Sequence, residues 1–308
     1  GCGGVRAALQ RDRVGLVDLW LRHVQDVHVK HLDRVDLLPP EMRHDRLCEL
    51  NVLEQVLNVA QTVVVQDAWQ RGQEVVIHGW VYGLHNGLLE DLEACFDSLG
   101  ADATVVVISG EGAHFSAGLD LSEHQVRTPF EVLQHSQWWH RVFHKVQFGG
   151  RPVVSALHGA VVGGGLELAT STHVRVAGRS TFYQLPEGQR GIFVGGGASV
   201  RVSKIIGPDR MTEMMLTGRR YDAEDGYRLG LSHYLVDDAE VLPEAFRLAR
   251  QIATNAPLSN WASINAVANI GDMSMANGLY TESMAAALAQ SSDEANKRMQ
   301  DFLNRKKG

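Results

Sequence analysis

The stretch Val162-Gly163-Gly164-Gly165-Leu166-Glu167, with Pro186-Glu187 further along, decides how this chain folds. Glycines let backbone approach another group closely, because no Cβ stands in the way. Here they close an apolar run and lead into a helical pattern over Leu166–Thr170, so an acid falls in the opening turn of a helix. The spacing does not match the Gly-x-Gly-x-x-Gly of a dinucleotide fold. A tight strand-to-helix turn, a phosphate loop and a turn that aims amides at a ligand stay open at this point. Upstream, the apolar run Thr104-Val105-Val106-Val107-Ile108-Ser109 leads into His114-Phe115-Ser116-Ala117-Gly118-Leu119-Asp120. Short strand candidates recur at Pro152–Leu157, Val174–Ala177 and Thr181–Tyr183, interleaved with glycine-rich turns. From Leu242 onward the pattern is helical, with breaks at Asn255-Ala256-Pro257 and at Gly271. Trp138, Trp139 and Phe143 share one helical face and read as core or pocket wall rather than as catalytic groups.

The 308 residues leave room for two domains or one large one, with ample core. A net charge of −7 argues against a nucleic-acid partner. The cysteines, Cys2, Cys48 and Cys95, have the spacing of neither a disulfide framework nor a zinc ribbon, so a cytoplasmic setting is expected. No apolar run approaches the roughly 20 residues that span a bilayer, and no signal-peptide pattern opens the sequence.

In the first 86 residues, Leu16–His28 carries apolar residues at helical spacing, as does Glu49–Gln70, with Leu50, Leu53, Val56, Leu57 and Ala60 on one face. Glu41–Cys48 is polar, and Pro39-Pro40 punctuates the chain before it. Glu74–Tyr82, rich in β-branched and aromatic residues, predicts a strand. Asn86-Gly87 is a turn signal, after which helical periodicity resumes through Phe96.

From about Gly87 onward, the His114–Asp120 segment, the Gly163–Glu167 turn and Pro186-Glu187 together resemble the enoyl-CoA hydratase/isomerase (crotonase) family. The resemblance implies an α/β fold: a spiral of repeated ββα units (87–241) followed by a C-terminal helical trimerisation region (242–308). It implies an acyl-CoA thioester as substrate, no further cofactor, and a homotrimer or dimer of trimers. Leu119 and Gly164 match the residues whose backbone N–H groups form the oxyanion hole. Glu167 and Glu187 match the paired catalytic glutamates, and Gly195 the glycine that orients water. Ala117, Gly118 and Asp120 match substrate contacts, and Phe302, Arg305 and Lys306 the groups near the nucleotide part of coenzyme A. The sequence departs from the family in four places. Gln184-Leu185-Pro186-Glu187 carries one extra residue, Val194 stands where proline is usual, and His173 where aspartate is common. The family's Asn-Arg-Pro segment has no counterpart, and Val75–Tyr82 is a candidate substitute for a missing strand.

Residues 1–86 resemble the C-terminal half of a β-carbonic anhydrase, truncated. The likeness rests on Gly1-Cys2-Gly3-Gly4-Val5-Arg6-Ala7-Ala8, Glu49-Leu50-Asn51-Val52, Val65-Gln66-Asp67-Ala68-Trp69 and His78-Gly79-Trp80-Val81-Tyr82, in that order. Cys2 matches one zinc ligand of that family. A single ligand does not make a zinc site, since a catalytic zinc needs three protein donors and an open position, so no metal is expected. The sequence therefore reads as a fusion with one equipped half. Its expected reaction is hydration of an α,β-unsaturated acyl-CoA, with an enoyl-CoA isomerase or other crotonase-type acyl-CoA enzyme, or an inactive fusion that binds acyl-CoA or acts as a scaffold, as alternatives.

Overall fold

The computed structural model describes residues 3–10, 18–71, 88–100, 103–118 and 127–305. Two compact units are resolved by their internal packing, Gly1–Cys95 and Phe96–Gly308. The expected strand Glu74–Tyr82 lies outside the described residues, as does the start of the helix expected from Leu16.

Within the first unit, the described residues form helices α1 (Gly3–Gln10), α2 (Asp18–Lys30), α3 (Leu32–Val35), α4 (Pro40–Ala60) and α5 (Val63–Gln70). Val5 and Ala8 from α1, Leu21, Val24 and Val27 from α2, and Leu47 and Leu50 from α4 make one buried cluster. The helix expected over Glu49–Gln70 starts earlier and is interrupted. Pro40 occupies the first helical position, where its missing N–H costs nothing, so the polar Glu41–Cys48 stretch is helical too. The break falls at Gln61-Thr62, where the Thr62 hydroxyl donates to the Val59 carbonyl at 2.7 Å and the Gln66 amide to that of Ala60.

Helix α6 (Leu88–Ser98) follows the Asn86-Gly87 turn signal and carries the chain into the second unit. There β1 (Val106–Ser109), α7 (Pro129–Phe148), β2 (Val153–Leu157), β3 (Ala160–Val162), α8 (Gly164–Ser171), β4 (Val174–Gly178) and β5 (Phe182–Gln184) come first. They are followed by α9 (Ala198–Ile206), α10 (Pro208–Thr217), β6 (Tyr221–Asp222), α11 (Ala223–Leu229) and β7 (Tyr234–Val236). Helices α12 (Val241–Ala253), α13 (Pro257–Ile270), α14 (Met275–Gln290) and α15 (Asp293–Arg305) close the chain. One sheet is parallel in the order β1-β2-β4-β7, and a smaller one runs β3-β5-β6. From β2 to β5 each strand steps from one sheet to the other, with Val153 in register with Val106 and Phe182 with Ala160. That alternation is the expected spiral of ββα units, and the helical C-terminal region is present with both of its expected breaks.

Strand β2 is buried along its whole length, as an inner parallel strand should be. Val154, Ala156 and Val176 meet Val241, Ala245 and Leu248 of α12 on one side of the larger sheet. Helix α7 is fixed at its start by a capping box. The Thr128 hydroxyl accepts from the Glu131 amide, and the Glu131 carboxylate accepts from the Thr128 amide at 2.7 Å. His173, at the position where aspartate is common in the resembled family, ties β2 to α7. Its Nδ1 accepts from the Val153 amide at 2.9 Å, so Nε2 carries the proton and donates to the Gln147 carbonyl at 2.8 Å. Burial lowers its pKa and keeps the ring neutral.

Arg175 is the buried polar pin of this unit, donating to the carbonyls of Leu231 (2.7 Å), Thr172 (2.9 Å) and Gly230 (3.2 Å). Truncation to alanine strands these acceptors in the interior. Arg175→Ala is expected to cost about 3–5 kcal/mol in urea unfolding. A loss under about 1 kcal/mol would show that water replaces the guanidinium freely.

Candidate active site

Gly163 caps α8 with φ +54° and ψ −125°, a conformation that disfavours any residue with a Cβ. Its N–H donates to the Gln184 carbonyl of β5 at 3.0 Å, which anchors the start of the helix to the smaller sheet. Gly164 is the first helical residue, so its amide has no acceptor within the helix and points outward from the positive end of the dipole. The Trp139 indole packs on this residue: a Cβ there would lie 2.8 Å from Cη2 of the ring.

Gly118, at φ +88°, comes up against the same turn. A Cβ at Gly118 would sit 2.9 Å from the Val162 carbonyl oxygen and 3.2 Å from the Gly164 nitrogen. Ser116 forms a parallel bridge to Val161, so the segment after β1 is stitched onto β3. Ala117 is exposed beside it. Leu119 and Asp120 lie outside the described residues, as do Cys2 and Lys306.

Glu167 stands in the first turn of α8, only 4% exposed. Its Oε1 accepts from the backbone N–H of Gly196 at 2.7 Å and of Ala198 at 3.0 Å. Burial raises its pKa, the two amide bonds oppose that rise, and the nearby Glu187 charge adds to it, against the cation of Arg201. Glu187 opens a 3-10 turn, Glu187–Arg190, and is 7% exposed. Its Oε1 lies 2.9 Å from the place a Cβ on Gly163 would take. Oε2 is buried and has no hydrogen-bond partner among the described residues. Burial raises this pKa as well, opposed by its own backbone N–H and by Arg190. The extra residue before Glu187 is absorbed by burying Leu185 completely, which leaves the acid facing the glycine turn.

These carboxyls sit in different surroundings, so they can divide proton work. Donors on Glu167 favour its ionised form, and the bare oxygen of Glu187 favours a proton. Four further residues, missed in the sequence, build the corner around Glu167. Gly196 and Ala198 supply the donors, Arg201 the cation, and Ser136 a hydroxyl that donates to the Gly195 carbonyl at 2.6 Å. The run Gly195-Gly196-Gly197 was the available signal for a close approach: a Cβ at Gly196 would lie 2.7 Å from Glu167 Oε2. Phe302, 53% exposed, and Arg305 lie on α15, which packs on α14. Among the described residues no cluster of His, Cys, Asp and Glu could hold a metal ion.

Residues 81–308 match the family model described as Enoyl-CoA hydratase/isomerase, and residues 1–89 the one described as Carbonic anhydrase. The crystal structure of a provisionally assigned enoyl-CoA hydratase from Rhodopseudomonas palustris superposes with a TM-score of 0.71 at 49% identity, covering 72% of this chain and 86% of that one. A short-chain-enoyl-CoA hydratase of Clostridium acetobutylicum is 26% identical over 73% of this chain and 87% of its own length. A mitochondrial Δ(3,5)-Δ(2,4)-dienoyl-CoA isomerase of Dictyostelium discoideum is also 26% identical, over 68% of this chain and 77% of its own length.

The raised pKa of Glu187 has a cost in stability. A group whose folded pKa lies above its unfolded value of 4.5 favours the folded state at low pH and loses that contribution as pH rises through the folded value. Glu187→Gln is therefore expected to raise the urea midpoint at pH 8 relative to the unsubstituted protein, with the gain shrinking toward pH 4. A gain that does not change with pH would contradict the buried, proton-holding carboxyl.

Proposed function

The chain belongs to the enoyl-CoA hydratase/isomerase family and is an enzyme of that family, and from this premise we propose that it adds water across the double bond of an α,β-unsaturated acyl-CoA. The observation that carries the proposal is the buried carboxyl pair set against the Gly163-Gly164 turn. In this reading the thioester oxygen accepts from the amides of Gly164 and Leu119 as the enolate forms, each donor contributing about 3–4 kcal/mol. Ionised Glu167 takes a proton from water, and the hydroxyl adds at Cβ. Glu187 delivers a proton to Cα, so that one water is consumed and both carboxyls are restored after proton exchange. Gly195 helps to orient that water, and Ala117, Gly118 and Asp120 flank the substrate. Phe302, Arg305 and Lys306 face the nucleotide portion, since guanidinium and ammonium groups suit phosphate. Assembly as a homotrimer or dimer of trimers and a cytoplasmic setting belong to the same proposal. The scheme calls on no metal or redox cofactor.

Likeness to a dienoyl-CoA isomerase supports a second reading, in which a proton is removed and returned at another carbon. The two differ in product, because only hydration leaves a new hydroxyl. Incubation with a panel of crotonyl-like thioesters, followed through loss of the conjugated absorbance and by product mass, tests both. Hydration predicts a gain of one water. Glu167→Gln and Glu187→Gln are expected to lower kcat by about 10²–10⁴-fold each with the fold retained. Near-normal turnover by both variants, or no turnover by the unsubstituted chain, would overturn the proposal, and the latter would leave an acyl-CoA-binding or scaffold protein.

A further inference from the structure

We infer that Ser136 is a positioning residue for Glu167, acting through the one peptide group that joins Gly195 to Gly196. The Ser136 hydroxyl donates to the oxygen of that peptide at 2.6 Å, and its N–H donates to Glu167 Oε1 at 2.7 Å. A peptide group is conjugated. A donor at its oxygen draws electron density away from nitrogen and strengthens the N–H at the other end, as hydrogen bonds in series polarise one another. The hydroxyl on α7 thus reaches the carboxylate on α8 without touching it.

Both ends of this peptide are hydrogen-bonded, and the residue that follows is closely packed. Arg201 donates to the Gly196 carbonyl at 3.0 Å, and its Nε donates to the Gln147 side chain at 2.7 Å. A Cβ at Gly196 would meet Phe143 Cε2 at 3.0 Å and the Glu167 carboxylate closer still. Ser136, Trp139, Phe143 and Gln147 recur at helical spacing, so one face of α7 serves the whole corner. Ser136 bonds the loop, Gln147 holds Arg201, Trp139 packs on Gly164, and Phe143 stands beside Gly196. The charged groups acting on Glu167 are Glu187 from the 3-10 turn and Arg201 from α9. Helix α7 meets this corner with the neutral Ser136, Phe143 and Gln147, and β3 with Val161 and Val162.

Removing the hydroxyl weakens a donor to the ionised form, so the carboxyl should hold its proton to higher pH. The inference rests on the proposed hydration only for its catalytic consequence, and its test does not depend on turnover. The full chain is labelled with ¹³C at the glutamate carboxyls, Glu167→Gln identifies the resonance, and the titration is followed in the unsubstituted protein, Ser136→Ala, Ser136→Thr and Ser136→Cys. The Glu167 midpoint is expected to rise in pH by about 0.5 to 1 in Ser136→Ala. It should rise less with cysteine, a weaker donor, and return toward the starting value with threonine, while Glu244, paired with Arg247 on α12 of the same unit, titrates unchanged as a control on the fold. A midpoint equal in Ser136→Ala and the unsubstituted protein, or displaced equally by alanine and threonine, overturns the inference. Should alanine prevent folding, the cysteine–threonine comparison decides by the same criteria. In the hydration assay, the acid limb of kcat/KM should move to higher pH in Ser136→Ala, with kcat lowered about 3–10-fold and KM nearly constant. If the unsubstituted protein shows no turnover, the proposed function falls, while the titration still decides the role of Ser136.

Discussion

The close approach of Gly118 to the Gly163-Gly164 turn is the constraint from which the second unit takes its shape. A Cβ at Gly118 would stand 2.9 Å from the Val162 carbonyl oxygen, so a larger residue there would push the segment after β1 away from β3. With that separation the Ser116–Val161 bridge would open, and the turn into α8 would lose one wall. The same contact sets Gly118 beside the first residue of α8, on which Trp139 packs. Sheet pairing and the helix start thus follow from one steric requirement.

Burying two acids next to this turn works against stability, and the structure offsets it unequally. Glu167 receives two backbone donors and the field of Arg201, while Glu187 keeps one oxygen with no hydrogen-bond partner among the described residues. The difference in surroundings gives the pair its chemical asymmetry, and with a uniform set of donors the two carboxyls would do the same thing. Phe143 and Trp139, packed edge to face at 5.3 Å between ring centres, form an apolar wall beside this corner. Burial strengthens each electrostatic interaction of the two carboxyls and raises the penalty for leaving a charge unpaired.

What the sequence disclosed follows the range of the interactions involved. The glycine turn, α8, the strands around it and the two acids were legible, because turn chemistry and apolar runs are local. The extra residue before Glu187 and the altered position His173 were legible as departures, but not their resolution, which depends on burying Leu185 and on bonds from His173 to β2 and α7. Ser136 reaches Gly195 across 59 residues, and Gly196 reaches Glu167 across 29, distances at which periodicity carries no information. Pro40 read as punctuation because proline ends helices far more visibly than it starts them. Helices α9 and α10 escaped notice because they are short and separated only by Gly207, which caps both. Leu119, Asp120 and Lys306 were named from resemblance and lie outside the described residues, so their placement is open to direct measurement.

The central claim is that amides at the Gly118–Gly164 convergence polarise a thioester carbonyl. Isotope-edited infrared spectroscopy reads this directly, using a saturated acyl-CoA labelled with ¹³C at the carbonyl, which binds without reacting. If the claim holds, the carbonyl stretch of the bound thioester falls to lower frequency than in buffer. A bound thioester whose stretch stays at its solution frequency would contradict it.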